Sequence, residues 1–213
     1  MAVHKNLLLF FLLFPNLIFG SQIGTASNST IEILAEDIIK TSEDTYLVGV
    51  KFRLDPGWHT YWINPGDSGE KASFEWKLPE GVKISNPKWP SPEIIPYPPL
   101  MTYGYNEEVT VLFNLTVERD LLSSEQIFLK SNWLACEDVC LPQSASIETT
   151  FLKIDDYKLS NKNSELLEKQ KKLPKKLPSS IKVLEEKGEI LLTGKVDSKL
   201  INTEVYFFPY DQN

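Results

Sequence analysis

From Tyr46 to Leu54 every second residue is large and apolar: Tyr46, Val48, Val50, Phe52 and Leu54 alternate with Leu47, Gly49, Lys51 and Arg53. Val109, Val111, Phe113, Leu115 and Val117 alternate in the same way with Thr110, Leu112, Asn114 and Thr116. A period of two directs one set of side chains to a core and the other to solvent, which is the pattern of a half-buried strand. Phe74, Trp76 and Leu78 repeat it briefly, and Ala145, Ile147, Thr149 and Phe151 more weakly. Turn formers separate these runs: Asp55-Pro56-Gly57, Asn64-Pro65-Gly66-Asp67-Ser68-Gly69, Pro79-Glu80-Gly81, and Pro96 to Pro99. Short strands with this punctuation and no helical periodicity between them predict an all-β sandwich rather than a parallel α/β sheet.

The flanks are different in kind. Lys5 precedes an apolar run from Leu7 that ends at Gly20-Ser21-Gln22. At about 14 residues the run is too short for a membrane span, which needs roughly 20. Residues 1–20 therefore read as a secretory signal peptide. Without them, 21 basic residues face 29 acidic ones, a balance that excludes a nucleic-acid-binding surface of clustered Lys and Arg. Residues 21–157 hold 10 basic and 21 acidic side chains, and 158–187 hold nine Lys and four Glu. That shift marks a boundary: a sandwich domain over 21–157, then a Lys-rich linker over 158–180 with a short helix between Ser164 and Lys172. Pro174 and Pro178 end the helix. Ile181–Leu184, Ile190–Val196 and Val205–Phe208 read as strands again. Three strands make a poor independent sheet, so 181–213 is expected either to dock on the first domain or to be a partial second β unit.

Cys136 and Cys140 are the only cysteines. An exported protein matures in an oxidising compartment, where a disulfide is the default. In a continuous strand the two Cα atoms would stand roughly 13 Å apart, beyond the 7 Å limit for a bridge. If Glu137-Asp138-Val139 forms a three-residue turn, they become cross-strand neighbours and a bridge is permitted. Pro142 is then expected to limit the second strand. So small a loop removes little unfolded-state entropy, about 2 kcal/mol, and an accessible pair in a tight turn has the features of a labile, functional disulfide.

Four motifs surround the pair. They are Gly57-Trp58-His59-Thr60-Tyr61-Trp62-Ile63-Asn64-Pro65-Gly66-Asp67-Ser68-Gly69, Trp89-Pro90-Ser91-Pro92, Tyr103-Gly104-Tyr105, and Trp133-Leu134-Ala135-Cys136 to Cys140-Leu141-Pro142. Together, in this order, they resemble the N-terminal periplasmic domain of the thiol:disulfide interchange protein DsbD, in the branch carrying C-x3-C. The resemblance spans about residues 30–155 and continues weakly into Val205–Pro209, which is similar to the opening of a second sandwich domain. It implies an immunoglobulin-like β-sandwich in the periplasm that works as a protein-disulfide reductase or electron-relay subunit, with no cofactor and no small-molecule substrate. Its donor would be a separate membrane or thioredoxin-like protein. Its acceptors would be periplasmic disulfide proteins, including isomerases and factors of cytochrome c biogenesis. By the resemblance Cys140 bonds partners, Cys136 resolves the mixed disulfide, and an aromatic cap matches Met101–Tyr105, with Tyr103 as lid and Tyr105 beside it. Glu137 and Asp138 adjoin the thiols, where carboxylates disfavour the thiolate. The sequence departs from the family in its short cysteine spacing and in the absence of membrane and thioredoxin domains.

Other residues read more plainly. His59 lies among aromatics as a packed strand residue, and Asp67 sits in a turn where Asp commonly bonds local backbone. Two rival functions remain at this level. A Cu(I) chaperone would use both thiolates, but copper proteins with a related cysteine stretch also need a distant His and a thioredoxin-like βα pattern, and no His follows Cys140. A non-enzymatic binding sandwich would carry the disulfide as a structural element only. Beyond the signal peptide, two Cys and one His are too few for a closed tetrahedral zinc site short of recruiting a carboxylate.

Overall fold

The computed structural model describes residues 23–42, 44–118, 125–150, 165–175, 181–194 and 206–210. The expected signal peptide, and much of the expected linker, lie outside them. In chain order the elements are β1 (Ile23–Thr25), β2 (Ser29–Ser42), β3 (Thr45–Leu54), β4 (His59–Gly66), β5 (Ser73–Lys77), β6 (Val82–Ile84) and β7 (Glu93–Tyr97). There follow β8 (Leu100–Asn106), β9 (Glu108–Val117), β10 (Gln126–Cys136), β11 (Cys140–Thr150), α1 (Glu165–Lys171), β12 (Ile181–Glu186) and β13 (Glu189–Gly194).

Two antiparallel sheets face each other, one ordered β1-β2-β3-β9-β6 and the other β11-β10-β4-β8-β7, with β5 also pairing with β10. The fold is an all-β, immunoglobulin-like sandwich. The alternating residues found in the sequence are the inner faces of the first sheet: Val48, Val50, Phe52, Val111, Phe113 and Leu115 are all buried. Aromatic rings close the gap between the sheets. Phe52 meets Trp133 edge-on at 5.3 Å, and Phe113 meets Phe74 at 5.1 Å. Such pairs add about 0.5–1.5 kcal/mol beyond their buried area.

Parity alone misassigned the other face. Leu47, Gly49, Lys51, Thr110 and Leu112 alternate towards what should be solvent, yet all five are buried. The cause is α1, which lies across β3 and β9 and inserts the fully buried Leu166 between Leu47 and Leu112. Gly49 makes room for it: a Cβ there would stand 2.6 Å from a Leu166 methyl. The buried Lys51 ammonium is paired with Glu165 at 2.6 Å and Glu108 at 3.3 Å. Burial alone would raise the Glu108 carboxyl, but hydrogen bonds and charge from Lys169 and Lys51 outweigh it and hold the group below its usual range. Leu166→Ala should therefore cost about 2–5 kcal/mol in urea unfolding, as deletion of a packed leucine does. A loss under about 0.5 kcal/mol would mean that α1 contributes no stability by docking.

The C-terminal part differs from expectation in one place. β12 and β13 form a two-stranded hairpin, but residues 206–209 are not a strand. Phe208 instead packs on Trp62 and Tyr103, with ring centroids 6.1 and 5.3 Å away. Asn64 Nδ2 donates to the Pro209 carbonyl at 2.7 Å. Among the described residues no helix is long and apolar enough to cross a membrane.

Candidate active site

β10 and β11 form a hairpin whose last pair is Cys136 opposite Cys140. Glu137, Asp138 and Val139 make the turn, the two Cα atoms are 4.1 Å apart, and the cysteines are joined as a disulfide. β11 runs on through Pro142, which pairs with Leu134. The strand continues because it is the outermost in its sheet, where a backbone nitrogen facing outwards needs no partner.

Side-chain alternation sets what surrounds the sulfurs. Ala135 and Trp133 belong to the core, so Cys136 and Leu134 face the outer side of the second sheet. Register then identifies their neighbours, since residues directly opposite in an antiparallel pair share a face. Cys136 is opposite His59 on β4, and Tyr61, two residues further on, shares that face. The Tyr61 hydroxyl donates to Cys136 Sγ at 3.0 Å and stands 3.4 Å from Cys140 Sγ. Cys136 is 1 % exposed and Tyr61 2 %, whereas Cys140 lies open at the turn. One sulfur is thus presented and the other covered.

One loop rests directly on Tyr61. Gly69 has φ +104° and rests so closely on the phenol that any Cβ would overlap the ring, which requires glycine there on both counts. The tip of the β7–β8 hairpin brings in Tyr97, whose phenol is near enough to raise the Tyr61 pKa electrostatically, after the larger rise caused by burial. Tyr61 is accordingly a protonated donor at neutral pH. His59 packs edge-on against Tyr61 at 5.4 Å, and burial lowers its pKa, favouring the neutral imidazole.

The expected cap residues are placed differently. Tyr105 is opposite Thr60, and Tyr61 is opposite Gly104. Tyr105 and Tyr103 therefore point to the core face, away from the sulfurs. Tyr105 stacks on Trp89 and donates to the Pro90 carbonyl at 2.8 Å. Tyr103 meets Phe208, and its hydroxyl turns to Met101 Sδ at 3.7 Å. Glu137 and Asp138 are exposed in the turn, with the Glu137 carboxylate beside Gly57. Tyr61 and Tyr97 were not singled out from sequence. Spacing alone shows that Tyr61 shares a face with His59, but only register shows that this is the cysteine face. No group of three or more His, Cys, Asp or Glu that could hold a metal ion occurs among the described residues.

Comparison with solved structures supports the fold. The N-terminal periplasmic domain of ScsB from Proteus mirabilis superposes with a TM-score of 0.53 at 20 % identity, over 73 % of this chain and 58 % of that one. The chain thus spans somewhat over half the length of that relative. The reduced DsbD N-terminal domain of Neisseria meningitidis is 14 % identical over 56 % of this chain and 83 % of that one, with a TM-score of 0.36. No curated protein matches the chain. Residues 32–152, more than half of the sequence, match the family described as "Thiol:disulfide interchange protein DsbD, N-terminal". The chain belongs to that family of DsbD N-terminal domains.

Proposed function

We propose that the protein passes electrons through the Cys136/Cys140 dithiol to other disulfide proteins of the periplasm, receiving them from a separate membrane or thioredoxin-like donor. The observation that carries this reading is the asymmetry of the pair. Cys140 is open to a partner, while Cys136 is buried and hydrogen-bonded by Tyr61.

The exchange balances as two displacements. The Cys140 thiolate attacks a sulfur of the partner's disulfide, forming a mixed disulfide and releasing one partner thiolate. The Cys136 thiolate then attacks Cys140 Sγ, breaking the mixed bond, closing the Cys136–Cys140 bond and releasing the second partner thiolate. Two electrons reach the partner, and each thiolate takes up a proton from water. The reverse sequence reloads the dithiol from a donor.

An exchange-active disulfide must be reducible within the range of such partners. Equilibration of the protein with glutathione or dithiothreitol buffers should give a reduction potential above about −300 mV, the bound that separates labile from structural disulfides. A value well below it would establish the bridge as structural and end this reading.

A further inference from the structure

The cysteine bridge stands at one end of a row of residues that crosses the second sheet, strand by strand, from β11 to β7. Cys140 on β11 is opposite Cys136 on β10, and Cys136 is opposite His59 on β4. His59 in turn is opposite Asn106 on β8, whose Nδ2 donates to Glu93 Oε2 on β7 at 2.9 Å. Opposite residues of antiparallel strands share a face, so the row lies on the outer side of the sheet, beside Tyr61. Cys136, His59 and Asn106 thus follow one another as a thiol, an imidazole and an amide. That is the order in which a nucleophile, its base and an orienting group are set in thiol chemistry.

The buried thiol needs a base. In the resolving step Cys136 must lose its proton as it attacks Cys140 Sγ. An ordinary thiol is only a few per cent ionised at about pH 7, and burial works against the charged form; Cys136 is 1 % exposed. Tyr61 is a donor to the sulfur and not an acceptor. Glu137 and Asp138 are exposed in the turn, with the Glu137 carboxylate at Gly57. His59 is buried and directly opposite Cys136. Opposite Cβ atoms stand about 4.5–5.5 Å apart, a span that an imidazole and a thiol close between them once reduction frees the sulfur. Burial lowers the His59 pKa, so the ring is neutral and able to accept a proton.

We propose that His59 is the general base of the resolving step: its imidazole takes the proton of the Cys136 thiol as that sulfur displaces the partner from Cys140 Sγ. The Cys136–Cys140 bond forms, the mixed disulfide breaks, and the partner's thiolate leaves and takes up a proton from water. The imidazolium releases its own proton to water. Reloading reverses these steps, with the imidazolium returning a proton to Cys136. The assignment rests on the exchange reading of the pair, but its test needs no physiological partner.

The reduced full-length protein is mixed with equimolar dithiobis(nitrobenzoic acid), a disulfide that frees one coloured thiolate in each displacement. The first release reports attack by Cys140. The second, independent of concentration, reports attack by Cys136, and its absence from Cys136→Ser confirms which is which. His59→Gln should slow the second release roughly tenfold at neutral pH, the scale set by the small thiolate fraction of an unassisted thiol. The first release should stay within about twofold. In wild type the second release should be level above the imidazole pKa and fall as pH drops through it, at a value below the ordinary 6.5. In His59→Gln it should climb about tenfold per pH unit over the same range, as the thiolate fraction does. The other titratable groups about His59 are Tyr61, Glu93 behind Asn106, Glu107, whose N–H donates to the Trp58 carbonyl, and Glu137 and Asp138 of the turn. His59→Gln retains them all, so a difference between the two profiles belongs to the imidazole.

An unchanged second release, or equal pH profiles, would overturn the proposal. So would a slowed release accompanied by a shifted reduction potential: a base speeds both directions and leaves the equilibrium in place, whereas a mere prop for Tyr61 would move it. If His59→Gln does not fold, the wild-type profile decides. A level region supports the base, and a rate that climbs about tenfold per unit throughout overturns it. Failure of the exchange reading itself would show elsewhere, as a structural-range potential in a protein whose two releases are intact.

Discussion

With Cys136 changed to serine, the reduced protein should accumulate disulfide-linked adducts with periplasmic proteins, and these should dissolve on adding reductant. Serine cannot carry out the second displacement, so Cys140 bonds a partner disulfide and stays bonded. Cys140→Ser should give almost none. Its remaining thiol, Cys136, is 1 % exposed and lies under the Tyr61 hydroxyl, where neither a protein sulfur nor a small disulfide has room to approach. The contrast between the two variants should be close to all-or-none on a non-reducing gel. Adducts mainly with Cys140→Ser would reverse the two roles while leaving exchange in place. Adducts with neither would agree with a structural bridge.

Replacing Tyr61 by phenylalanine should make the disulfide harder to reduce. The ring, and with it the packing under Gly69 and beside His59, is kept; only the hydroxyl is lost. In the oxidised state that hydroxyl makes a neutral hydrogen bond to sulfur, and in the reduced state it faces a thiolate. Hydrogen bonds to charged groups are worth about 1.5–3 kcal/mol against about 0.5–1.5 for neutral pairs. The difference, on the order of 1.5 kcal/mol, stabilises the reduced, ionised form. Its loss should lower the reduction potential by roughly 30 mV and raise the pKa of the more acidic thiol by about one unit. The sign follows from Tyr61 being protonated, which its raised pKa ensures at neutral pH. Equilibration with dithiothreitol and the ultraviolet absorbance of the thiolate read the two quantities separately. If both stay at wild-type values, Tyr61 is a packing residue and the sulfurs are tuned elsewhere.

The two changes act at different points in the same cycle. Cys136→Ser stops it after the first displacement, whereas Tyr61→Phe leaves every step available and changes the poise. Measured together, the two give distinct signatures: trapped adducts and a shifted potential.

Much of this protein follows from local rules. Alternation at Tyr46–Leu54 and Val109–Val117 determined the strands and the all-β sandwich, because a period of two has only one geometry that buries every second side chain. The four-residue step from Cys136 to Cys140, with a turn-length insert between, determined that the cysteines could meet. What alternation cannot supply is the relation between strands. Which face of β8 looks at the sulfurs depends on how it registers with β4, and a slip of one residue exchanges the faces. That register turned Tyr103 and Tyr105 to the core and brought Tyr61 to Cys136. Coverage by distant segments is equally invisible in a single strand. Lys51 and Leu47 look solvent-facing until α1, more than a hundred residues later, packs on them. Asp67 reads as an ordinary turn residue until the fold sets Met101 against it. The sequence encodes the faces, and only the assembled sheets decide which faces meet.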